Sequence, residues 1–209
     1  MSVQVLPAAE VLARFDRFDT LIDARSEGEY AEDHLPGAVN WPTLNNEERA
    51  RVGTLYKQVS PFEAQKVGAA LVARNIATHI ERGVLDRPKS WQPLVYCWRG
   101  GKRSNSMALV LGQIGFRVHV LEGGYKAFRS AVIADIPLQV QRLDWRVVCG
   151  PTGSGKTRLL HALVRAGAQV LDLEALARHR SSVLGLIPGQ PQPGQKAFET
   201  LVWDRLRGF

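Results

Sequence analysis

Apolar residues along this chain fall into short continuous runs, separated by longer stretches in which they recur at helical spacing. The short runs at residues 20–23, 93–96 and 117–121 read as buried strands. Between them, residues 7–15 read as a short helix with Val11, Leu12 and Phe15 on one face. Residues 27–32 form a helical turn, and the Pro36-Gly37 dipeptide turns the chain into a short strand ending near Asn40. A polar helix follows from about residue 45 to 57. Ser60-Pro61-Phe62-Glu63 has the pattern of a capping box with proline at the first helical position. The helix behind it carries Phe62, Val67, Ala70, Leu71 and Ala77 at helical spacing, most simply a core stripe. Residues 83–93 form a loop. Residues 104–114 read as a helix stopped by Gly115, and Glu122-Gly123-Gly124 as a turn before a helix over 125–134. Strands alternating with helices imply a parallel sheet, with ligands at the carboxyl ends of its strands.

The pattern continues differently beyond residue 135. Residues 136–142 (IPLQVQR) read as a connector. Residues 145–149 read as a strand, 157–165 as a helix, and 169–174 as a second strand with Asp172 near its carboxyl end. Residues 188–195 (PGQPQPGQ) form an exposed loop. The expected organisation is a domain over 1–135, a connector over 136–143, and a partial second domain over 144–209.

Composition adds little to the fold and something to the partners. The 45% hydrophobic and 22% charged residues are ordinary globular values. Two cysteines provide no disulfide framework, residues 1–10 lack a signal-peptide pattern, and no apolar run approaches a membrane span. The expectation is a soluble, cytoplasmic protein with no membrane partner. The net charge of +7 is uneven: residues 144–209 hold 9 Lys/Arg against 5 Asp/Glu, and residues 1–143 hold 18 against 15. That bias favours RNA or phosphorylated small molecules as partners.

The candidate chemistry begins at Val95-Tyr96-Cys97-Trp98-Arg99-Gly100-Gly101-Lys102-Arg103-Ser104. A cysteine between a strand end and a helix start faces backbone N–H groups and the positive end of the helix dipole. Arg99, Lys102 and Arg103 add positive charge. Such surroundings favour a thiolate nucleophile and an anionic substrate. The alternative is a small buried core residue. The expected catalytic residue is Cys97, with Trp98, Arg99, Gly100, Gly101, Lys102 and Arg103 around the substrate anion.

Several further stretches accompany this loop. They are Asp23-Ala24-Arg25-Ser26-Glu27-Gly28-Glu29-Tyr30, then His34-Leu35-Pro36-Gly37-Ala38, and later Leu121-Glu122-Gly123-Gly124-Tyr125. In this order they resemble the signatures of rhodanese domains, over roughly residues 1–135. The resemblance implies a cysteine that accepts sulfur as a persulfide and passes it on. It makes Asp23 and Arg25 a structural polar pair and His34 structural. The loop departs from the usual pattern, because Arg103 lies six residues after Cys97 rather than five. That is the spacing of cysteine phosphatases, and it suits a tetrahedral oxyanion better than a lone sulfur. Against a phosphatase, Tyr96 stands where those enzymes commonly carry histidine.

A second anion site is written as Gly150-Pro151-Thr152-Gly153-Ser154-Gly155-Lys156-Thr157, a complete G-x-x-x-x-G-K-T. The expected phosphate contacts are Gly150, Thr152, Gly153, Ser154, Gly155, Lys156 and Thr157. Thr157 and Asp172 are candidate Mg ligands, with helix capping the alternative for Asp172. Cys149 reads as packing at the strand end.

The two loops together, with Leu171-Asp172-Leu173-Glu174, His179-Arg180-Ser181-Ser182 and Gln195-Lys196-Ala197-Phe198-Glu199, resemble the bacterial tRNA 2-selenouridine synthases. That resemblance implies an α/β chain: a rhodanese-like parallel-sheet domain, then the start of a P-loop NTPase-like domain, C-terminally truncated. It implies transfer of selenium into wobble 2-thiouridine of tRNA, with selenophosphate as co-substrate and a selenophosphate-supplying enzyme as partner. It further implies a geranylated intermediate made from geranyl diphosphate. Two alternatives stay open: a sulfurtransferase fused to a small NTPase, and an inactive phosphate-binding fragment.

Overall fold

The computed structural model describes residues 3–151, 153–180 and 185–209. They form two compact units, 1–131 and 132–209.

The first unit is built on five parallel strands. These are β1 (Val3–Leu6), β2 (Thr20–Asp23), β3 (Val39–Asn40), β4 (Pro93–Tyr96) and β5 (Val118–Leu121), in the order β1-β5-β4-β2-β3. Register aligns Ile22 with Val95, Val95 with Val120, and Val120 with Val5, one row across four strands. The helices are α1 (Ala8–Ala13), α2 (Glu27–Glu32), α3 (Asn46–Gln58), α4 (Pro61–Gly83), α5 (Lys102–Ile114) and α6 (Gly124–Gln141). A 3-10 turn, Phe15–Arg17, completes the elements of this half.

β4 and β5 are buried at every position, as expected of continuous apolar runs in a parallel sheet. The alternating pleat sends Val95 and Cys97 to one face, against Met107, Ala108 and Leu111 of α5. Burying each large side chain there contributes roughly 1.5–3 kcal/mol, which seats α5 firmly on β4 and β5. Tyr96 goes to the opposite face, where its hydroxyl accepts the Leu35 N–H at 3.2 Å. α5 ends at Gly115, whose φ of 113° is the left-handed stop that the sequence predicted.

Several boundaries moved. β1 was not anticipated: three of its four residues are exposed on the sheet edge, so its alternation carries little signal. Ser60 accepts the Glu63 N–H at 3.0 Å, which is one half of the expected capping box. Residues 136–141, read as a connector, are helical: α6 runs through them with Pro137 inside. Proline lacks an N–H and leaves one carbonyl a turn earlier without its helical donor, but the chain need not leave the helix there.

The second unit takes the part of α6 from residue 132 onward and holds α7 (Lys156–Arg165), α8 (Leu173–Ala177) and α9 (Gln195–Arg207). Its core is Trp203, with an indole N–H donating to Asp135 Oδ2 at 2.9 Å, together with Val170 and Leu206. The strands expected at 145–149 and 169–174 do not form among the described residues. A parallel strand needs a neighbour for its N–H and C=O groups, and these segments have none there. Val147 is consequently 81% exposed, and Cys149, expected as packing, is exposed too. Thr152, Ser181 and Ser182 lie outside the described residues.

Candidate active site

Cys97 sits one residue past β4, at the carboxyl edge of the sheet, and is only 3% exposed. Its sulfur accepts the Gly101 N–H at 3.2 Å and lies 3.2 Å from the Ser104 hydroxyl. Ser104 is fully buried, and its hydroxyl also lies 3.1 Å from the Gly101 carbonyl, so its one proton serves either the carbonyl or the sulfur. The sulfur therefore faces two groups able to hydrogen-bond to a thiolate, at the N-terminus of the 13-residue helix α5. Sequence reasoning did not single out Ser104; the only signal was its place just inside the predicted helix.

A two-glycine turn shapes the loop. Gly123 and Gly124 have φ of 67° and 58°, and a Cβ on Gly124 would run into the Cys97 carbonyl and the Gly100 N. Behind the turn, the Tyr125 N–H donates to the Cys97 carbonyl at 2.8 Å and the Lys126 N–H to the Trp98 carbonyl at 3.1 Å. Gly100 bends back with φ of 66°, and a Cβ there would meet the Gly123 N and Leu121 O at 3.0 Å. The loop and the turn thus require glycine at their contact.

The expected anion-binding residues separate into two groups. Arg99, Gly101 and Lys102 are exposed, with Trp98 and Gly100 half-buried. Arg103, expected beside them, instead pairs with Glu29, its two terminal nitrogens donating at 2.7 and 3.3 Å to the two carboxylate oxygens. Arg49 reaches the same carboxylate at 3.2 Å. Glu29 is the third residue of α2 and closes a capping box by accepting the Ser26 N–H at 3.2 Å. Burial would raise its pKa, but Arg103, the Ser26 N–H and Arg49 outweigh that and lower it. The Ser26-x-x-Glu29 spacing could have revealed the cap. Nothing in the sequence linked it to residue 103.

Beneath the loop, Asp23 and Arg25 form a buried ion pair of 2.6 Å, and Arg25 also donates to the Asp33 carbonyl at 2.7 Å. Tyr125 donates to Asp33 Oδ2 at 2.8 Å. Burial first, then this bond, raise its pKa, so the phenol stays protonated. His34 stacks on Tyr30 with centroids 3.8 Å apart, and its Nδ1 is 2.9 Å from the Tyr30 carbonyl, consistent with a structural role.

In the second unit, Gly153 and Gly155 turn the phosphate loop with φ of 80° and 84°, and Gly155 caps α7. Lys156 folds back so that its ammonium donates to the Gly150 and Pro151 carbonyls at 2.8 and 3.0 Å. Ser154 and Thr157 are exposed. A cleft of about 600 Å³ opens along Ser154, Gly155, Arg158, His161 and Arg165. A smaller hollow of about 260 Å³ has an apolar floor of Leu160, Val164, Val170 and Leu176, with His161, Asp172 and Arg205 also in its lining. Asp172 accepts the Ala175 N–H at 2.9 Å as the cap of α8, the capping alternative raised above. As a Mg ligand Asp172 would bring its second oxygen, and Thr157, exposed at the start of α7, its hydroxyl.

Residues 7–131 match the Rhodanese-like domain family, well over half of the chain. The chain belongs to the rhodanese-like family. In this rhodanese-like protein, residues 143–208 additionally match the tRNA 2-selenouridine synthase AAA domain. The expected kinship with that group of enzymes is found. A tRNA 2-selenouridine synthase from Nitrosomonas europaea is 41% identical over 194 residues, covering 91% of this chain and 49% of the relative. One from Bdellovibrio bacteriovorus is 37% identical, covering 100% and 56%. The chain thus spans about half the length of these relatives. An N-terminal domain crystallised from Clostridium difficile 630 is 36% identical with a TM-score of 0.52, covering 62% of this chain and 99% of that one. No helix among the described residues is long and apolar enough to cross a membrane.

Proposed function

We propose that this protein takes part in the exchange of sulfur for selenium in 2-thiouridine of tRNA. The observation that carries the reading is the pairing, in one chain, of a rhodanese-like Cys97 loop with a segment that matches the tRNA 2-selenouridine synthase AAA domain. The Cys97 thiolate is the nucleophile of the exchange: it attacks carbon 2 of the S-alkylated base and expels the alkyl thiol, and the selenium of selenophosphate then displaces Cys97 from that carbon, freeing the thiolate. Arg99, Lys102 and the loop amides hold the phosphate of selenophosphate, and Arg103 fixes the loop through Glu29. Over the whole reaction, selenium becomes bonded to carbon 2 of the base as the C–S bond breaks. Water cleaves the P–Se bond to give inorganic phosphate, and the sulfur departs as a thiol.

The P-loop takes a diphosphate, and geranyl diphosphate fits it better than a nucleotide. Supporting this is the apolar hollow beside α7, the helix that begins at the loop. Alkylating the thiouridine sulfur, as the C–O bond to the diphosphate breaks and diphosphate departs, turns a poor leaving group into a neutral thiol. Lys156, now engaged with the two loop carbonyls, would swing to the diphosphate, with Thr157 able to hold a Mg ion. The basic second unit favours tRNA as the partner.

The test is mass spectrometry of nucleosides from thiolated tRNA, with selenophosphate and geranyl diphosphate each added or omitted. Selenouridine is expected with both present, and geranyl-thiouridine when selenophosphate is withheld. A Cys97→Ser protein that still makes selenouridine overturns the role of Cys97. A Lys156→Ala protein with full geranyl transfer overturns that of the P-loop.

A further inference from the structure

Trp98 follows the nucleophile directly and ends a stack of flat groups. Its indole lies on the Tyr125 ring, with centroids 5.4 Å apart and planes 29° apart. The Arg25 guanidinium lies over the same tyrosine at 4.0 Å from its centre, and over Tyr96 at 5.7 Å. These supporting members cannot easily move. Arg25 is held by Asp23 and the Asp33 carbonyl, and Tyr125 by its hydroxyl on Asp33 and its N–H on the Cys97 carbonyl. Trp98 itself is half-buried and stacks on no other described ring.

An uncharged indole brings one N–H and no charge to an anion site, so its place in the loop is poorly explained by phosphate binding. A large flat ring held rigid and partly in water suits another task, because covering it with a second flat ring recovers apolar area at little entropic cost. We propose that Trp98 is a stacking platform for the pyrimidine base whose chalcogen is exchanged at Cys97. The assignment rests on the tRNA reaction proposed above and adds to it the residue that receives the base. Since Tyr125 is bonded to the Cys97 carbonyl, one set of contacts fixes both the platform and the nucleophile. Stacking is tolerant of base identity, so the platform positions the base, and selection among bases falls to other contacts.

The experiment compares binding of two anticodon stem-loop RNAs, one carrying 2-thiouridine at the wobble position and one with an abasic site there. The wild-type protein is expected to bind the intact RNA about 5- to 150-fold more tightly, the range of base–aromatic stacking. Trp98→Ala should bind the two RNAs alike, whereas Trp98→Phe should retain most of the difference, which separates loss of the ring from misfolding. A difference that survives in Trp98→Ala, or is missing in the wild type, overturns the platform alone, and the nucleoside assay then still judges the reaction. Failure of the wild type to bind either RNA, with no modified nucleoside formed, overturns both.

Discussion

Gly124→Ala tests whether the turn after β5 sets the shape of the Cys97 loop. Two costs can be read from the structure. At φ of 58° an alanine is in the left-handed region, which disfavours a residue with a Cβ by roughly 1–2 kcal/mol. The added methyl also overlaps the Cys97 carbonyl and comes 2.5 Å from the Gly100 N and 3.0 Å from the Arg99 N, all backbone atoms with no rotamer to yield. Overpacking of that kind costs about 1–3 kcal/mol. The sum, about 2–5 kcal/mol, is a large part of the stability of a typical domain. Gly115→Ala is the control, since its φ is 113° but nothing lies within 4 Å of the new methyl, so only the conformational cost applies. Urea denaturation of both variants gives the two stabilities, and the alkylation rate of Cys97 reports whether the loop has moved to escape the clash. The expected result is a larger loss in Gly124→Ala, an altered Cys97 rate in that variant, and an unaltered rate in Gly115→Ala. A Gly124→Ala protein within about 0.5 kcal/mol of Gly115→Ala, and with the wild-type alkylation rate, would refute the steric reasoning.

Two further outcomes are expected. Asp23→Ala leaves the Arg25 guanidinium, 1% exposed, without its carboxylate, and should destabilise the first unit by about 3–5 kcal/mol in urea titration; a loss under about 1 kcal/mol would mean that the Asp33 carbonyl suffices. Glu29→Gln should lower stability near neutral pH and flatten the acid side of the stability profile: because folding lowers the Glu29 pKa from 4.5, the wild type's advantage is full above that value and fades as pH falls through the lowered one. Thermal melts of wild type and variant that run parallel across that acidic window would show that Glu29 contributes no such linkage.

The elements most legible in the sequence were those whose signal is local. β2, α2 and β4 lie where their apolar runs and turn residues placed them, because a buried parallel strand is a short apolar block and a helix end is marked by its caps. The position of Cys97 at a strand end followed from the same logic. Pairings across the fold were less legible. Arg103 and Glu29 are 74 residues apart, and no spacing rule joins them. The expected strand at 145–149 shows a different failure: the pattern marks a segment fit for a sheet, but pairing depends on another segment alongside. Asp172 carried two readings in one residue type, and the bond it accepts from the Ala175 N–H supports the cap without bearing on the metal.

The fate of Arg103 changes how the six-residue spacing is understood. The extra residue was expected to make room for a tetrahedral oxyanion, with Arg103 among the residues around it. Its guanidinium is instead balanced by Glu29, a carboxylate that also meets Arg49, so this trio ties the start of α5 to α2 and α3. Positive potential at the loop must then come from two other sources. One is Arg99 and Lys102, both exposed and therefore weakened as salt rises. The other is the backbone: the Gly101 N–H on the sulfur and the dipole of α5, held by Met107 and Leu111 in the core. The backbone share is least sensitive to salt because it is enclosed. Salt should therefore weaken capture of an anion at the rim more than it weakens the hydrogen bonds on the Cys97 sulfur. On the proposed reading, collecting an anion and supporting a nucleophile thus fall to different parts of one short loop.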